Sequence, residues 1–365
     1  MSSRRTSALV GALIAAIALV GCTPSVVTTT TLSASAASVA PGAPVTLTAR
    51  VAAPPLTSVI SGTVTFADGA TTLGTRAVSD GQATLTTSAL APGTRTITAR
   101  FDPAGSGYLS STATTTIRVE RFHLALGDSL AAGAGAPAGQ GYVPRITGAV
   151  RAGLPGLTLH NLACGGATTA SMLAGGGCTY PEGTQVAAAE RFLALHRGAV
   201  DFITIDIGAN DVSGCVTSAG ANPVCAAARL PVVQANLSQI LARLEAAAPG
   251  VPIIGMTYYN PFLAYWITGN EAAATSSNAA AVTFNQALDA TYAAHGAVVA
   301  QVDDAFATED FAPTGSHLGL VVPQNVANIC AWTRMCTNAD IHANATGHDL
   351  IAQTFVPLVE AATTR

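Results

Sequence analysis

Apolar and polar residues alternate in short runs along the first third of the chain. Val45-Thr46-Leu47-Thr48-Ala49-Arg50-Val51 sets its apolar side chains two apart, the period of a half-buried strand. Similar stretches recur at Thr63 to Phe66, Ala83 to Thr86 and Thr94 to Phe101, with turn signals at Asp68-Gly69, Asp80-Gly81 and Pro92-Gly93. Short strands at this spacing predict a β-sandwich over residues 26–120. From Phe122 the period changes. Apolar runs at Phe122 to Leu126, Leu157 to His160, Val200 to Ile207, Val251 to Thr257 and Ala297 to Val302 read as strands, with helical stretches between them. Val233, Leu237, Ile240, Leu241 and Leu244 share one helical face, stopped by Pro249-Gly250. The next helix is expected within Asn278 to Ala294, with Ala281, Phe284 and Leu288 on its apolar face and Gly296 after its end. Strand–helix alternation over residues 121–365 predicts an α/β unit, a parallel sheet with helices on both faces. About 245 residues is ample for one such core.

The N-terminus reads as an export signal over residues 1–21. Arg4 and Arg5 precede an apolar run, Ala8 to Val20, that is short for a membrane span. It ends in Leu19-Val20-Gly21-Cys22, which resembles the lipobox of bacterial lipoproteins and implies cleavage before Cys22 and acylation of that residue. An ordinary signal peptide is the simpler alternative, and a twin-arginine route fits the following Thr6-Ser7-Ala8 poorly. No other stretch is long and apolar enough to span a bilayer, so an anchored or secreted extracytoplasmic protein is expected. Removing Arg4 and Arg5 takes the formal net charge from −4 to −6. Every basic residue is an arginine and none clusters, which argues against a nucleic-acid partner.

Seven cysteines become six when Cys22 is set aside, an even number in an exported chain. Their clustering favours Cys164–Cys178, Cys215–Cys225 and Cys330–Cys336. A structural zinc site lacks any C-x-x-C spacing to support it. The β-rich segment resembles bacterial immunoglobulin-like modules, including Phe101-Asp102 and Gly107-Tyr108 near its end. Such a module serves as a spacer or as a weak wall or glycan contact.

The chemistry gathers at strand ends. The first strand of the α/β unit runs into Gly127-Asp128-Ser129-Leu130, the second into Asn161 to Thr168 with Gly165-Gly166, and the third into Gly208-Ala209-Asn210-Asp211. Asp340-Ile341-His342 precedes the last helix. A serine between a strand end and a helix start exposes its hydroxyl where backbone N–H groups can stabilise negative charge. Taken singly, these residues suit a turn, a positive-φ glycine and helix caps. As an ordered set over residues 122–365, they resemble the SGNH (GDSL) hydrolase family, with Ser129, Gly166, Asn210 and His342 at its conserved blocks. The resemblance implies a flavodoxin-like three-layer α/β/α domain and ester hydrolysis without a cofactor or metal. Ser129 would attack, His342 would serve as base, and the Ser129 N–H, Gly166 N–H and Asn210 amide would hold the oxyanion. One departure stands out. The family's usual acid lies three residues before the histidine, where this chain has Ala339. Either Asp340 acts from a shifted loop or a backbone carbonyl orients the imidazole, as in acid-lacking secreted members, and the resemblance favours the carbonyl.

The proposed disulfides would brace the loops bearing these groups. The aromatic run Tyr258 to Trp266, with Trp332, reads either as core and lid packing or as an apolar wall for an acyl chain. An esterase or lipase of acyl esters is therefore expected. An O-deacetylase of cell-wall or plant polysaccharide is the enzymatic alternative, and a lipid-anchored binding protein with an inactive hydrolase domain the non-enzymatic one. A dinucleotide site fails on glycine spacing, and a metallohydrolase lacks a ligand set.

Overall fold

The computed structural model describes residues 25–53 and 60–364, so the expected signal segment and Cys22 lie outside the described residues. The chain divides into two compact units. Its N-terminal part is all-β: β1 (Thr29–Ala34), β2 (Ser38–Val39), β3 (Val45–Ala52), β4 (Gly62–Asp68), β5 (Thr71–Ala77), β6 (Gln82–Thr87), β7 (Gly93–Pro103) and β8 (Ser111–Val119). They form two sheets, β1-β3-β6 and β2-β8-β7-β4-β5. The period-two pattern is the burial pattern: Val45, Leu47, Ala49 and Val51 of β3 are buried, and the residues between them are not. β5 pairs with β4 through the Asp68-Gly69 turn. No residue of β5 is fully buried, so no apolar alternation announces it.

The C-terminal part opens with β9 (Arg121–Gly127), α1 (Tyr142–Val150), β10 (Leu157–Asn161), α2 (Thr169–Ala174), α3 (Gln185–Leu195), β11 (Val200–Asp206) and α4 (Ala209–Val212). There follow a hairpin, β12 (Val216–Thr217) and β13 (Gly220–Ala221), then α5 (Pro223–Ala247), β14 (Ile253–Met256), a 3-10 segment (Pro261–Thr268), α6 (Glu271–Ala294), β15 (Val298–Ala300) and α7 (Val302–Ala305). A second hairpin, β16 (Gly315–His317) and β17 (Leu320–Val322), leads to α8 (Gln324–Trp332), β18 (Thr333–Arg334), α9 (Met335–Asn338), β19 (Asp340–Ala343) and α10 (Ala345–Thr363).

Five of these strands form a parallel sheet in the order β10-β9-β11-β14-β15. β9 and β11 lie side by side with Leu124 opposite Ile203 and Leu126 opposite Ile205. Both are buried almost throughout, as strands covered on two faces must be. α1 packs with α10 on the sheet, and α3, α5 and α6 form the other layer. Strand order reverses at β9, so the crevice beyond the carboxyl ends of β9 and β11 is the place where this topology binds ligands.

The buried face of α5 consists of Val233, Leu237, Ile240, Leu241 and Leu244, the residues with helical periodicity in the sequence. α6 starts earlier than expected, at Glu271. Asn270 caps it by accepting the Ala273 N–H at 3.2 Å, so the helix gains two turns ahead of Asn278. Among the described residues no helix is long and apolar enough to cross a membrane.

Candidate active site

The turn carrying Ser129 is built by glycine and buried polar groups. β9 ends on Gly127 at φ +146°, where a Cβ would fall 1.6 Å from the Asp206 carboxyl, so only glycine fits. Gln185 grips the same residue from α3: its Oε1 accepts the Gly127 N–H at 2.8 Å and its Nε2 donates to the Gly127 carbonyl at 3.1 Å. The N–H of Asp128 donates to Asp206 Oδ1 at 3.2 Å, that of Leu130 to Asp128 Oδ1 at 2.9 Å, and that of Ala131 to Asp206 Oδ2 at 3.1 Å. Among the described residues the Ser129 N–H makes no hydrogen bond, while its neighbours on both sides are held. A donor fixed in place and left open is what an oxyanion needs.

His342 meets Ser129 across the crevice. Its Nε2 lies 2.8 Å from Ser129 Oγ, and its Nδ1 lies 2.5 Å from Asp340 Oδ1. An Nδ1–H donating to the carboxylate leaves Nε2 as acceptor for the serine proton. Of the two expected partners, it is the Asp340 carboxylate, two residues upstream, that lies against the imidazole Nδ1. The backbone explains how. Ala339 closes α9 in the left-handed conformation at φ +52°, which turns the chain so that Asp340 faces back over its own loop. Asp340 Oδ1 also accepts the His342 backbone N–H at 3.1 Å, an Asx-type turn that suits a two-residue spacing. The Tyr259 hydroxyl fixes the intervening residue by donating to the Ile341 carbonyl at 2.8 Å. Arg334 Nε stands 3.0 Å from Asp340 Oδ2 as an ion pair rather than an aligned hydrogen bond. Partial burial would raise the Asp340 pKa, but hydrogen bonds from His342 and the positive charges of His342 and Arg334 outweigh it and hold the carboxyl below its usual range.

The expected oxyanion partners occupy neighbouring loops. Asn210 lies in the first turn of α4 and lines the crevice with Ser129 and His342. Its Nδ2 donates to the Ala167 carbonyl at 3.0 Å, which leaves the second amide hydrogen for a ligand. Gly166 precedes Ala167 at φ +76°. It is not part of the cavity wall, and its N–H has no partner among the described residues. Asp211 ties the two loops together by accepting the N–H and hydroxyl of Thr169 at 2.9 and 2.7 Å.

A cavity of about 520 Å³ opens beside Ser129. Its walls are mainly apolar and include Leu230, Phe262, Phe284, Ile341 and alanines of α5 and α6. Tyr258 and Tyr259 are buried with bonded hydroxyls and line the cavity together with Pro261 and Phe262. Trp332 packs edge-on against Phe306 at 5.4 Å. Disulfides join Cys164 to Cys178, Cys215 to Cys225 and Cys330 to Cys336. Cys215 is itself in the cavity wall.

The other buried histidines are structural. His123 bridges Thr147 on α1 and Thr204 on β11 at 2.8 and 2.7 Å, and burial lowers its pKa to about 3. His348 accepts the Tyr142 N–H at 3.1 Å and donates to the Ala134 carbonyl at 2.9 Å, tying α10 to the segment after Ser129. Sequence reasoning passed over Asp206 and Gln185 as supports of the nucleophile turn, and read Tyr258 only as packing or cavity wall. One signal was available for Asp206: an acid near the end of a largely apolar, β-branched run and close to the strand's carboxyl end.

The model of the GDSL-like Lipase/Acylhydrolase family matches residues 125–350, and that of the bacterial Ig-like domain (group 3) matches residues 32–120. Similar solved structures include an extracellular lipase from Streptomyces rimosus, 23% identical, with 67% of this chain and 100% of that chain covered at a TM-score of 0.44. A phospholipase A1 from Streptomyces albidoflavus is 19% identical, with 67% and 99% covered at 0.39. A psychrotrophic esterase from Pseudoalteromonas is 16% identical, with 66% and 98% covered at 0.40. No curated protein matches the chain.

Proposed function

The chain belongs to the GDSL-like lipase/acylhydrolase family, and from that premise we propose that it is a serine carboxylic-ester hydrolase working through an acyl-serine. The observation that carries the reading is the continuous chain of hydrogen bonds from Ser129 through His342 to Asp340 at the edge of an apolar cavity. Ser129 Oγ attacks the acyl carbon while His342 Nε2 takes its proton. Asp340 holds the Nδ1–H and stabilises the imidazolium that forms. Charge on the former carbonyl oxygen is met by the Ser129 N–H, the Gly166 N–H and the Asn210 amide, and losing one such donor costs about 10²–10³ in rate. The imidazolium then protonates the departing alkoxide, and water repeats the sequence on the acyl-serine.

The cavity favours an extended apolar acyl group over acetyl. Its 520 Å³ falls in the range of pockets that enclose whole small molecules. An acetyl group would leave most of those walls in contact with water. Each further methylene buried contributes about 0.8 kcal/mol, roughly a fourfold gain in kcat/KM. Three disulfides suit an oxidising compartment outside the cytoplasm. Acylation of Cys22 would anchor the protein there, with the Ig-like part, ending near residue 120, as a spacer.

Hydrolysis of p-nitrophenyl esters tests the assignment. Ser129→Ala is expected to lose at least ~10³-fold in kcat, and undiminished activity in that variant overturns it. A series from acetyl to palmitoyl is expected to rise with chain length, and a maximum at acetyl would favour the O-deacetylase.

A further inference from the structure

Two buried carboxyl groups lie under the nucleophile turn and take no part in the relay. Asp206 ends β11 with no exposure, and Asp128 is 2% exposed. Between them they accept the N–H groups of residues 128, 130 and 131, which are the main-chain donors on either side of Ser129. Asp206 Oδ1 lies 3.2 Å from the backbone nitrogen of Asp128, so the two buried carboxyl groups share one site beneath the turn. The titratable groups around the pair are Tyr142 from α1, Tyr258 and Tyr259 after β14, Tyr292 from α6 and, toward the cavity, His342. The Tyr258 hydroxyl donates to Asp128 Oδ2 at 3.2 Å. Among the described residues no arginine pairs with either carboxyl.

Two carboxylates buried together and paired with no arginine cannot both stay charged at little cost. Neither can both be neutral at little cost, because three backbone donors and a phenol point at them. We propose that Asp128 and Asp206 hold one proton between them, carried on Asp206, and that this singly charged pair is the positioning device that fixes Ser129 for attack. The inference rests on the reading of Ser129 as the nucleophile. Burial pushes the Asp128 carboxyl up to about 6, and burial together with the Asp128 charge raises Asp206 well above the carboxylate range, in line with a proton on Asp206 at neutral pH. Asp128 lines the cavity with Ser129 and His342, so the remaining charge sits on the side where the imidazolium forms.

Carbon-13 NMR of the whole protein labelled at aspartate carboxyl carbons tests the proton directly. At neutral pH one resonance is expected at the protonated shift, and it should vanish in Asp206→Asn. A wild-type spectrum with every aspartate carboxyl ionised overturns the proposal and needs no variant. Kinetics test the positioning. Asp206→Asn keeps a neutral donor toward Asp128 but gives up one of the two acceptors that hold the turn, and should lose less in kcat than Asp206→Leu. Asp206→Leu, which frees the turn, should lose about 10²-fold in kcat with KM little changed. A folded Asp206→Leu enzyme with wild-type kcat overturns the positioning role. Ser129→Ala run alongside separates the two readings. Retained activity there defeats the nucleophile assignment and leaves the NMR result standing. Lost activity with an ionised Asp206 defeats only the shared proton.

Discussion

At the scale of single residues, Asp340 is the informative case. Its candidacy was legible in the sequence, beside a backbone carbonyl as the alternative, but its reach was not, because the family's usual spacing to the histidine is three residues. Two residues suffice here because Ala339 takes the left-handed conformation and the carboxylate bonds both the His342 backbone and its ring. Neither fact can be read from composition, since alanine gives no hint of positive φ. The structure therefore makes a definite prediction. Asp340→Asn keeps the side-chain shape but offers the imidazole either an amide oxygen or an amide N–H, with no charge to balance the imidazolium. We expect kcat to fall by about 10²–10⁴-fold with KM nearly unchanged. An unchanged kcat would return the role to a backbone carbonyl.

At the scale of elements, burial periodicity was the strongest guide. The parallel strands and the inner face of α5 follow it closely, and β9 to β11 place the serine and asparagine loops at adjacent strand ends. Elements without that periodicity were missed, as with the threonine-rich β5 and the first turns of α6, whose start is set by the Asn270 cap. Polar groups buried between elements also leave no periodic trace. His123 is one, joining β9 to α1 and β11 through two threonine hydroxyls. Its pKa drops from 6.5 in the unfolded chain to about 3 in the fold, because burial penalises the charged ring. Below pH 6.5 the unfolded chain takes up a proton that the folded chain refuses. Its contribution to stability is therefore full above that pH and is lost as pH falls toward 3, at ~1.4 kcal/mol per pH unit. Denaturant titrations of wild type and His123→Gln between pH 6 and 4 should differ in slope by about that amount; equal slopes would mean that the fold accepts the proton. The loop from Cys164 to Cys178, which carries Gly166, belongs to the same scale. With 14 residues of separation, opening it by Cys164→Ala with Cys178→Ala should cost about 3 kcal/mol of unfolding free energy.

At the scale of the whole molecule, the cavity is the feature that no local reading could supply. Its wall combines the serine turn, the loop after β11, both long helices, the segment after β14 and the histidine loop, which are far apart in sequence. What keeps it open is the smallness of Ala226 and Ala227 on α5 and of Ala279, Ala280 and Ala281 on α6. In the sequence these alanines read only as good helix formers. In the fold they line the cavity, and on the proposed function they would set how much acyl chain the site accepts, so enlarging one should change specificity before it changes chemistry. Ala280→Phe adds a ring to the cavity wall and leaves Ser129, His342 and Asn210 themselves unaltered. A pocket mismatch of about one methylene costs about 1–3 kcal/mol, or 10–200-fold, in kcat/KM. We expect long-chain p-nitrophenyl esters to lose at least tenfold by that measure while the acetyl ester keeps its wild-type rate, so that the chain-length profile flattens or inverts. A loss spread evenly over all chain lengths would mean that the substitution disturbs the relay and that the acyl chain lies elsewhere.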